Sequence, residues 1–337
     1  MEKRRFNEID ICKGIGIILV VLGHALKQTG SHSLFATIPL AFIYSFHMPL
    51  FFMLSGFLSV KLLDMDGGPL SPDRRRYLGG RAVRLLIPYT VMSLIYLPLK
   101  LFMNSYAIKA YELKDSWRIL IGDSPNTAMW FLFILFLCTA AGALFVRREN
   151  LNLVFFAAML FSSVAYALNW QIRFPRYFIF FVLGLLAREN YEACQAILEN
   201  TGAVVISALL FIIGNEMGYR YGGLWYFLTA MTGCHLMMCL SDWISDRSEV
   251  YERRHSRAFL CGIAQRLRMT GIISMDIYIF SEPVMTALRL LLWNILHLPA
   301  ALCMVVCMAG GLLLPIPICR YVIRRIKPLR LLFLGER

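Results

Sequence analysis

Ionisable side chains inside the first two apolar stretches of the chain are its strongest candidates for chemistry. They are Asp10, Lys13, His24 and His47. Charged groups at membrane depth are costly and are therefore functional candidates by default. Ten residues separate Lys13 from His24, so a helix turning by about 100° per residue carries both on one face, about 16 Å apart along its axis. A cation and a base on one face need a protein interior or an aqueous cavity.

Histidine suits proton transfer because its side chain is neutral near pH 7 and can remove the proton of a hydroxyl. We expect His24 to be a general base, with a hydrogen bond across a helix bundle as the alternative. Lys13 could face the cavity and hold a phosphate or an acyl carbonyl, with Asp10 as its partner, or could only reach the membrane surface. His47 precedes Pro49 and fits a second catalytic or positioning group or a packed helix contact.

The elements that must position these residues are membrane helices. The chain of 337 residues is 58% hydrophobic and 16% charged, with a mean hydropathy of +0.62, which is more apolar surface than a soluble domain could bury. Ten apolar segments are predicted, at residues 9–28, 36–60, 83–103, 128–146, 151–169, 174–188, 201–215, 222–243, 271–296 and 299–322. We therefore expect an all-α polytopic membrane protein of about ten transmembrane helices in one domain, 1–337.

Basic residues predict the orientation of this bundle. Of the 34 Lys and Arg residues, 24 fall on the side of both termini and 8 on the other, and basic loops favour the cytoplasm. Both termini should therefore be cytoplasmic. Because the net charge of +13 is carried at helix ends rather than on one soluble face, we expect no nucleic-acid partner. The nine cysteines form no CxxC pair, which favours small core residues over disulfides or metal ligands.

Several motifs together resemble a known family. They are Asp10-x-x-Lys13-Gly14 with His24 downstream, Phe46-His47-Met48-Pro49-Leu50-Phe51-Phe52, Ser55-Gly56-Phe57, Arg81-x-x-Arg84 before Pro88-Tyr89, Trp130-Phe131-Leu132, and Ser274-x-x-x-Tyr278 followed by Pro283. This set resembles the membrane-bound acyltransferase 3 family, most strongly over residues 8–90. Ser281 stands where that family often has histidine, so no late histidine role carries over.

The resemblance implies a multi-pass enzyme of the bacterial plasma membrane. Such enzymes move an acyl group, usually acetyl from acetyl-CoA, onto a hydroxyl of a sugar or cell-envelope glycan. The expected partners are therefore an acyl-CoA donor, a carbohydrate acceptor and the lipid bilayer, with no metal. Two alternatives remain open from the residues alone: a proton-coupled transporter, and a membrane assembly subunit without turnover.

Further site residues follow from the matched motifs. Arg81 and Arg84 lie on one face at the start of the third helix and could bind the phosphates of coenzyme A, or anchor the helix, which suffices to explain Arg74 to Arg76. Trp130 could stack on a sugar or belong to the interfacial aromatic belt. Glu282 and Arg289, seven residues apart, could contact the acceptor or form a buried pair with each other.

Overall fold

A computed structural model describes residues 6–28, 34–65, 67–69, 71–102, 111–168, 170–253 and 259–336, and this part of the chain contains helices and no strand. The α-helices are α1 (Asn7–Gln28), α2 (Leu34–Phe57), α3 (Pro72–Phe102), α4 (Trp130–Phe145), α5 (Leu151–Ala167), α6 (Arg173–Glu189), α7 (Tyr191–Glu199), α8 (Thr201–Tyr221), α9 (Leu224–Arg253), α10 (Phe259–Ile272), α11 (Ser274–Arg289), α12 (Ala300–Leu313), α13 (Pro315–Tyr321) and α14 (Lys327–Leu334). A π-helix, Leu290–Ile295, continues α11, and short 3₁₀ helices occur at Val60–Leu62, Leu113–Ile121 and Ile323–Arg325.

The membrane class is confirmed by the lengths and apolar character of these helices. Six helical stretches could each cross a bilayer: Asn7–Lys27, Ile38–Phe57, Pro72–Phe102, Thr201–Gly218, Leu224–Val250 and Ala300–Arg325. The bent pair Phe259–Ile272 and Ser274–Ile295, which meets at 77°, could form a seventh span, while Trp130–Phe145 and Leu151–Ala167 are shorter apolar helices. The count of ten spans and the side of each terminus stay predictions.

Two predicted loops contain helix instead. Helix α3 begins at Pro72 rather than near residue 83, and α9 and α10 occupy most of residues 244–270. The first segment is polar and the second has only a short apolar run, residues 259–264, so hydropathy did not reveal these helices. Arg74 shows what stabilises the first: its side chain is completely buried and donates to the carbonyls of Met65 at 2.8 Å and Ala143 at 2.5 Å. The prediction that Arg74 only anchors the helix is therefore wrong, because its guanidinium joins α3 to α4.

Glycine contacts set the position of α1 and α2, the helices that carry the candidate site. A Cβ added to Gly56 would lie 1.9 Å from the carbonyl oxygen of Phe181, and one added to Gly184 would lie 1.9 Å from that of Met53. At the crossing of α1 and α10, a Cβ on Gly271 would lie 1.7 Å from the carbonyl oxygen of Asp10. Small residues allow such close approach of membrane helices.

Helix α8 forms an outer edge of the bundle. Its exposed side chains are large and apolar, among them Val205, Ile206, Leu209 and Ile212. An exposed apolar row of this kind is stable in contact with lipid rather than water. The core, by contrast, contains six of the nine cysteines in buried positions, and all nine thiols are free.

Candidate active site

His24 and Glu282 form the centre of the site. The Nδ1 atom of His24 on α1 lies 3.4 Å from Oε2 of Glu282 on α11, and the two side chains are 23% and 12% exposed. The sequence allowed Glu282 to pair with Arg289 instead. The structure instead places Glu282 beside His24. A carboxylate at Nδ1 fixes the imidazole tautomer that leaves Nε2 free to accept a proton.

His47 lies deeper in the packing. Its side chain is 4% exposed, and its Nδ1 donates to the carbonyl oxygen of Ile43 at 2.7 Å within the same helix. The ring of Tyr44 meets the His47 ring edge-on at 4.9 Å. His47 is also within electrostatic range of His24. His24 and His47 therefore lie in one region of the bundle. One ring nitrogen of His47 is occupied by its hydrogen bond to Ile43.

Lys13 faces a cavity inside the bundle. Its Nζ lies 3.3 Å from Oδ1 of Asp10, the partner that their spacing predicted. The cavity has a volume of about 120 Å³, and its wall includes Lys13, Ser55, Ser274 and Tyr278. Lys13 thus lines a cavity, as the first of its two predicted roles requires. Ser55, part of the Ser55-Gly56-Phe57 motif, lines the same cavity.

Tyr278 lines this cavity and lies on the same helix, α11, as Glu282. Its hydroxyl donates to the carbonyl oxygen of Ala128, and it lies one turn before Glu282, within electrostatic range of that carboxylate. The sequence predicted no separate role for Tyr278, which is part of the Ser274-x-x-x-Tyr278 motif. The wall of the cavity therefore includes three residues of α11, the helix that also holds Glu282: Ser274, Met275 and Tyr278.

Trp130 belongs to an aromatic cluster. The ring of Tyr177 lies 5.1 Å from it and that of Phe52 lies 6.3 Å away. The guanidinium of Arg173 sits over the indole at 4.8 Å, a cation–π contact. Arg173 is also within electrostatic range of Tyr278. One face of Trp130 is therefore covered in this structure, and a sugar would have to share or displace Arg173.

Arg81 and Arg84 point to different partners. Arg81 donates from Nε to the hydroxyl of Tyr77 at 3.1 Å and from Nη2 to that of Ser59 at 3.3 Å. Arg84 donates from Nη1 to the carbonyl of Leu334 at 2.9 Å and to Oε1 of Glu336 at 2.6 Å. Neither arginine lines the cavity around Lys13.

The partner of Arg84 belongs to a network that the sequence did not predict. Glu336 also accepts from Arg324 at 2.6 Å, and Arg324 in turn binds both oxygens of Asp276. Burial alone would raise the pKa of the Glu336 carboxyl, but the hydrogen bonds and charges of Arg84 and Arg324 outweigh it and lower that pKa. The network holds α14 against α3 and α11.

Groups that could hold a metal ion are absent from the part of the chain that the structure describes: no three His, Cys, Asp or Glu side chains cluster there. The polar atoms of the site are instead imidazole, carboxylate, ammonium and phenol. A base paired with a carboxylate, and a separate cavity that Lys13 lines, suit transfer of a group to a hydroxyl.

Comparison with known proteins agrees with this chemistry. A family model described as an acyltransferase domain, acyltransferase 3, matches residues 6–320. The nodulation protein NolL of Sinorhizobium fredii is 30% identical over 228 residues, which are 64% of this chain and 59% of that protein. The NolL of Mesorhizobium japonicum is 34% identical over 102 residues, 27% of this chain and 26% of the relative. The chain thus spans less than two thirds of these relatives, and no solved structure matches it significantly. Since the family model covers nearly its whole length, the chain belongs to the acyltransferase 3 family.

Proposed function

We propose that the protein is a membrane O-acyltransferase that moves an acyl group, acetyl in the simplest case, from acyl-CoA to a hydroxyl of a sugar or cell-envelope glycan. The observation that carries this proposal is the His24–Glu282 pair at 3.4 Å in a chain whose family is defined by an acyltransferase domain. The bacterial plasma membrane follows from the family resemblance. The relatives named nodulation protein NolL support no finer choice of acceptor.

In this proposal His24 acts twice. Its Nε2 takes the proton of the acceptor hydroxyl while the oxygen attacks the thioester carbonyl, and Glu282 stabilises the imidazolium that forms. The tetrahedral intermediate then breaks its carbon–sulfur bond. The departing thiolate takes the proton back from His24, leaving an ester and free CoA. His47, fixed through Ile43, positions the reacting groups.

Lys13 has a different role in this account. A separation of about 16 Å along the helix prevents Lys13 and His24 from contacting the same oxyanion. The donor is long enough to reach both, so we assign Lys13 to the donor within the cavity that it lines. Trp130 and Arg289 would contact the acceptor on the side of His24.

The role of Glu282 can be separated from that of Arg289. Glu282→Gln keeps the shape of the side chain but removes the charge that stabilises the imidazolium, so we expect acyl transfer to fall by at least ~10²-fold while donor binding is kept. Arg289→Gln is the comparison variant: because Arg289 is proposed to contact the acceptor rather than the base, the change should weaken acceptor binding and keep most of the transfer rate at saturating acceptor. Equal losses in both variants, measured as release of free CoA, would contradict this assignment.

The donor phosphates are proposed to bind at Arg81 and Arg84. Each charge-assisted contact is expected to contribute about 1.5–3 kcal/mol, so Arg81→Ala and Arg84→Ala should each weaken acetyl-CoA binding roughly tenfold or more. Lysine should recover only part of this loss.

Glu336→Gln provides the control for this experiment. It removes the carboxylate charge that competes for Arg84 but leaves the guanidinium, so donor binding should be unchanged or tighter. If both alanine variants bind the donor as tightly as wild type, these arginines only anchor the fold and the phosphates bind elsewhere.

The proposed orientation has both termini, residues 61–82 and residues 244–270 in the cytoplasm, and residues 104–127 outside. Positions 66, 70, 103–110 and 254–258 lie outside the described residues. Gly68 has no atom near its added Cβ, and Leu120 is strongly exposed, so cysteines at either should react freely. In a cysteine-free background and intact cells, an impermeant reagent should label Leu120→Cys and leave Gly68→Cys unlabelled. The reverse pattern would overturn the orientation.

A further inference from the structure

A second cavity, larger and almost wholly apolar, lies away from the proposed site. It has a volume of about 320 Å³ and is enclosed by α1, α2, α6, α7 and α9, with Ile9, Met53, Leu183, Met231 and Met238 among its lining residues. An apolar cavity of roughly 150 Å³ is already enough to bind benzene. A sugar or phosphate inside would leave hydroxyls or charges unpaired, which is costly. The cavity therefore suits a hydrocarbon chain.

Polar side chains that line this cavity have partners within the protein. Glu8 accepts from the hydroxyl of Tyr191 at 3.0 Å, and Gln195 donates to Asp242 at 2.9 Å. The Nε2 atom of His235 lies 3.5 Å from Sγ of Cys239. These contacts leave the apolar walls to define what can bind inside.

Arg188 supplies a cation beside the cavity. Its guanidinium lies over the rings of Phe6 at 4.3 Å, Phe57 at 5.5 Å and Tyr191 at 5.7 Å, and both Phe57 and Tyr191 line the cavity. Among the described residues the guanidinium has no hydrogen-bond or ion-pair partner. An arginine held by three rings with its N–H groups unused can bind an anionic group. A hydrocarbon cavity with this cation beside it matches an anionic amphiphile.

Helix α7 gives such a ligand a route from the bilayer. No residue of α7 is buried, although Tyr191, Cys194 and Leu198 line the cavity, so α7 covers the space without being packed into the core. It connects directly to α8, whose exposed apolar row includes Val205 and Ile206. A lipid chain could therefore enter beneath α7 from the lipid side of α8.

We propose that this cavity binds one acyl chain of an anionic membrane lipid, with the head group against Arg188. The site is distinct from the Lys13 cavity, but Leu54 lines both, so a bound chain packs against the wall of the proposed donor cavity. This binding does not depend on acyl transfer.

The test uses the full-length protein in bilayer nanodiscs with a phosphatidylglycerol that carries a photoreactive diazirine on one acyl chain. Crosslinks mapped by mass spectrometry should fall on cavity residues such as Met53 and Met231. Ala187→Leu and Met231→Trp fill the cavity and should reduce these crosslinks to background, with Ala187→Leu deciding if the larger change prevents folding. Val305→Trp, at an exposed position of α12 away from the cavity, is the matched control and should leave them unchanged.

A second set of measurements tests whether Arg188 binds the lipid head group. Arg188→Gln should reduce phosphatidylglycerol labelling roughly tenfold through loss of a charge-assisted contact, Arg188→Lys should retain part of it, and a phosphatidylcholine probe should label wild type weakly. Undiminished cavity labelling in the filled variants would overturn the site. Equal labelling by both lipids would overturn the role of Arg188.

Discussion

His24→Ala is expected to bind acetyl-CoA as wild type does and to lose acyl transfer by at least ~10²-fold, the lower end of what a positioned general base contributes. The loss follows from the pair with Glu282 at 3.4 Å, which holds the imidazole where it can receive a proton. Donor binding should survive because the proposed donor contacts are Arg81, Arg84 and Lys13, and Lys13 lies about 16 Å from His24 along α1. Binding of radiolabelled acetyl-CoA and release of free CoA measure the two steps separately.

His297→Asn is the control for that variant. His297 is exposed and has a φ of 50°, a conformation that asparagine tolerates, so the change should leave both binding and transfer intact. A His24→Ala protein that folds, binds donor and still transfers acetyl near the wild-type rate would show that the base is another residue. A wild-type protein that binds no acetyl-CoA would favour the transporter or assembly-subunit alternatives.

Gly56→Ala is expected to cause a large loss of stability. Its new Cβ would lie 1.9 Å from the carbonyl oxygen of Phe181, so α2 and α6 must separate, and overpacking of this kind typically costs about 1–3 kcal/mol. The reciprocal change Gly184→Ala meets the carbonyl of Met53 at the same distance and should behave alike. Thermal unfolding in detergent, followed by tryptophan fluorescence, measures the effect.

Gly79→Ala separates this steric effect from helix propensity. Gly79 lies within α3, and nothing is within 4 Å of its added Cβ, so alanine should raise stability by about 0.5–1 kcal/mol. Unfolding temperatures for Gly56→Ala and Gly184→Ala at or above that of Gly79→Ala would contradict the close packing of α2 on α6.

The helices were largely predictable because apolar runs and helix length are local properties of the sequence. Two further helical segments were not predictable: the start of α3 from Pro72 is polar, and the apolar run of α10, residues 259–264, is short. Tertiary contacts such as those of Arg74 stabilise the start of α3. Hydropathy therefore predicted the start of α3 too late and the end of α9 too early.

The candidate site, like the fold, was predictable only where local sequence spacing determines the arrangement. Lys13 and His24 could be placed on one face because their spacing within one helix determines it. The partner of Glu282 could not be predicted, since α1 and α11 meet only in the folded bundle. The Arg84–Glu336 contact, between residues 252 positions apart, likewise has no local pattern. Helix periodicity predicts faces, and only packing selects which faces meet.

The most direct test of the proposed mechanism is acyl transfer by His24→Gln, measured beside its donor binding. Glutamine can keep a hydrogen bond to Glu282 but cannot accept a proton at neutral pH. If His24 is the base, the variant should bind acetyl-CoA normally and release CoA at least ~10²-fold more slowly than wild type. Near-normal CoA release would contradict the mechanism and leave His24 as a structural link between α1 and α11.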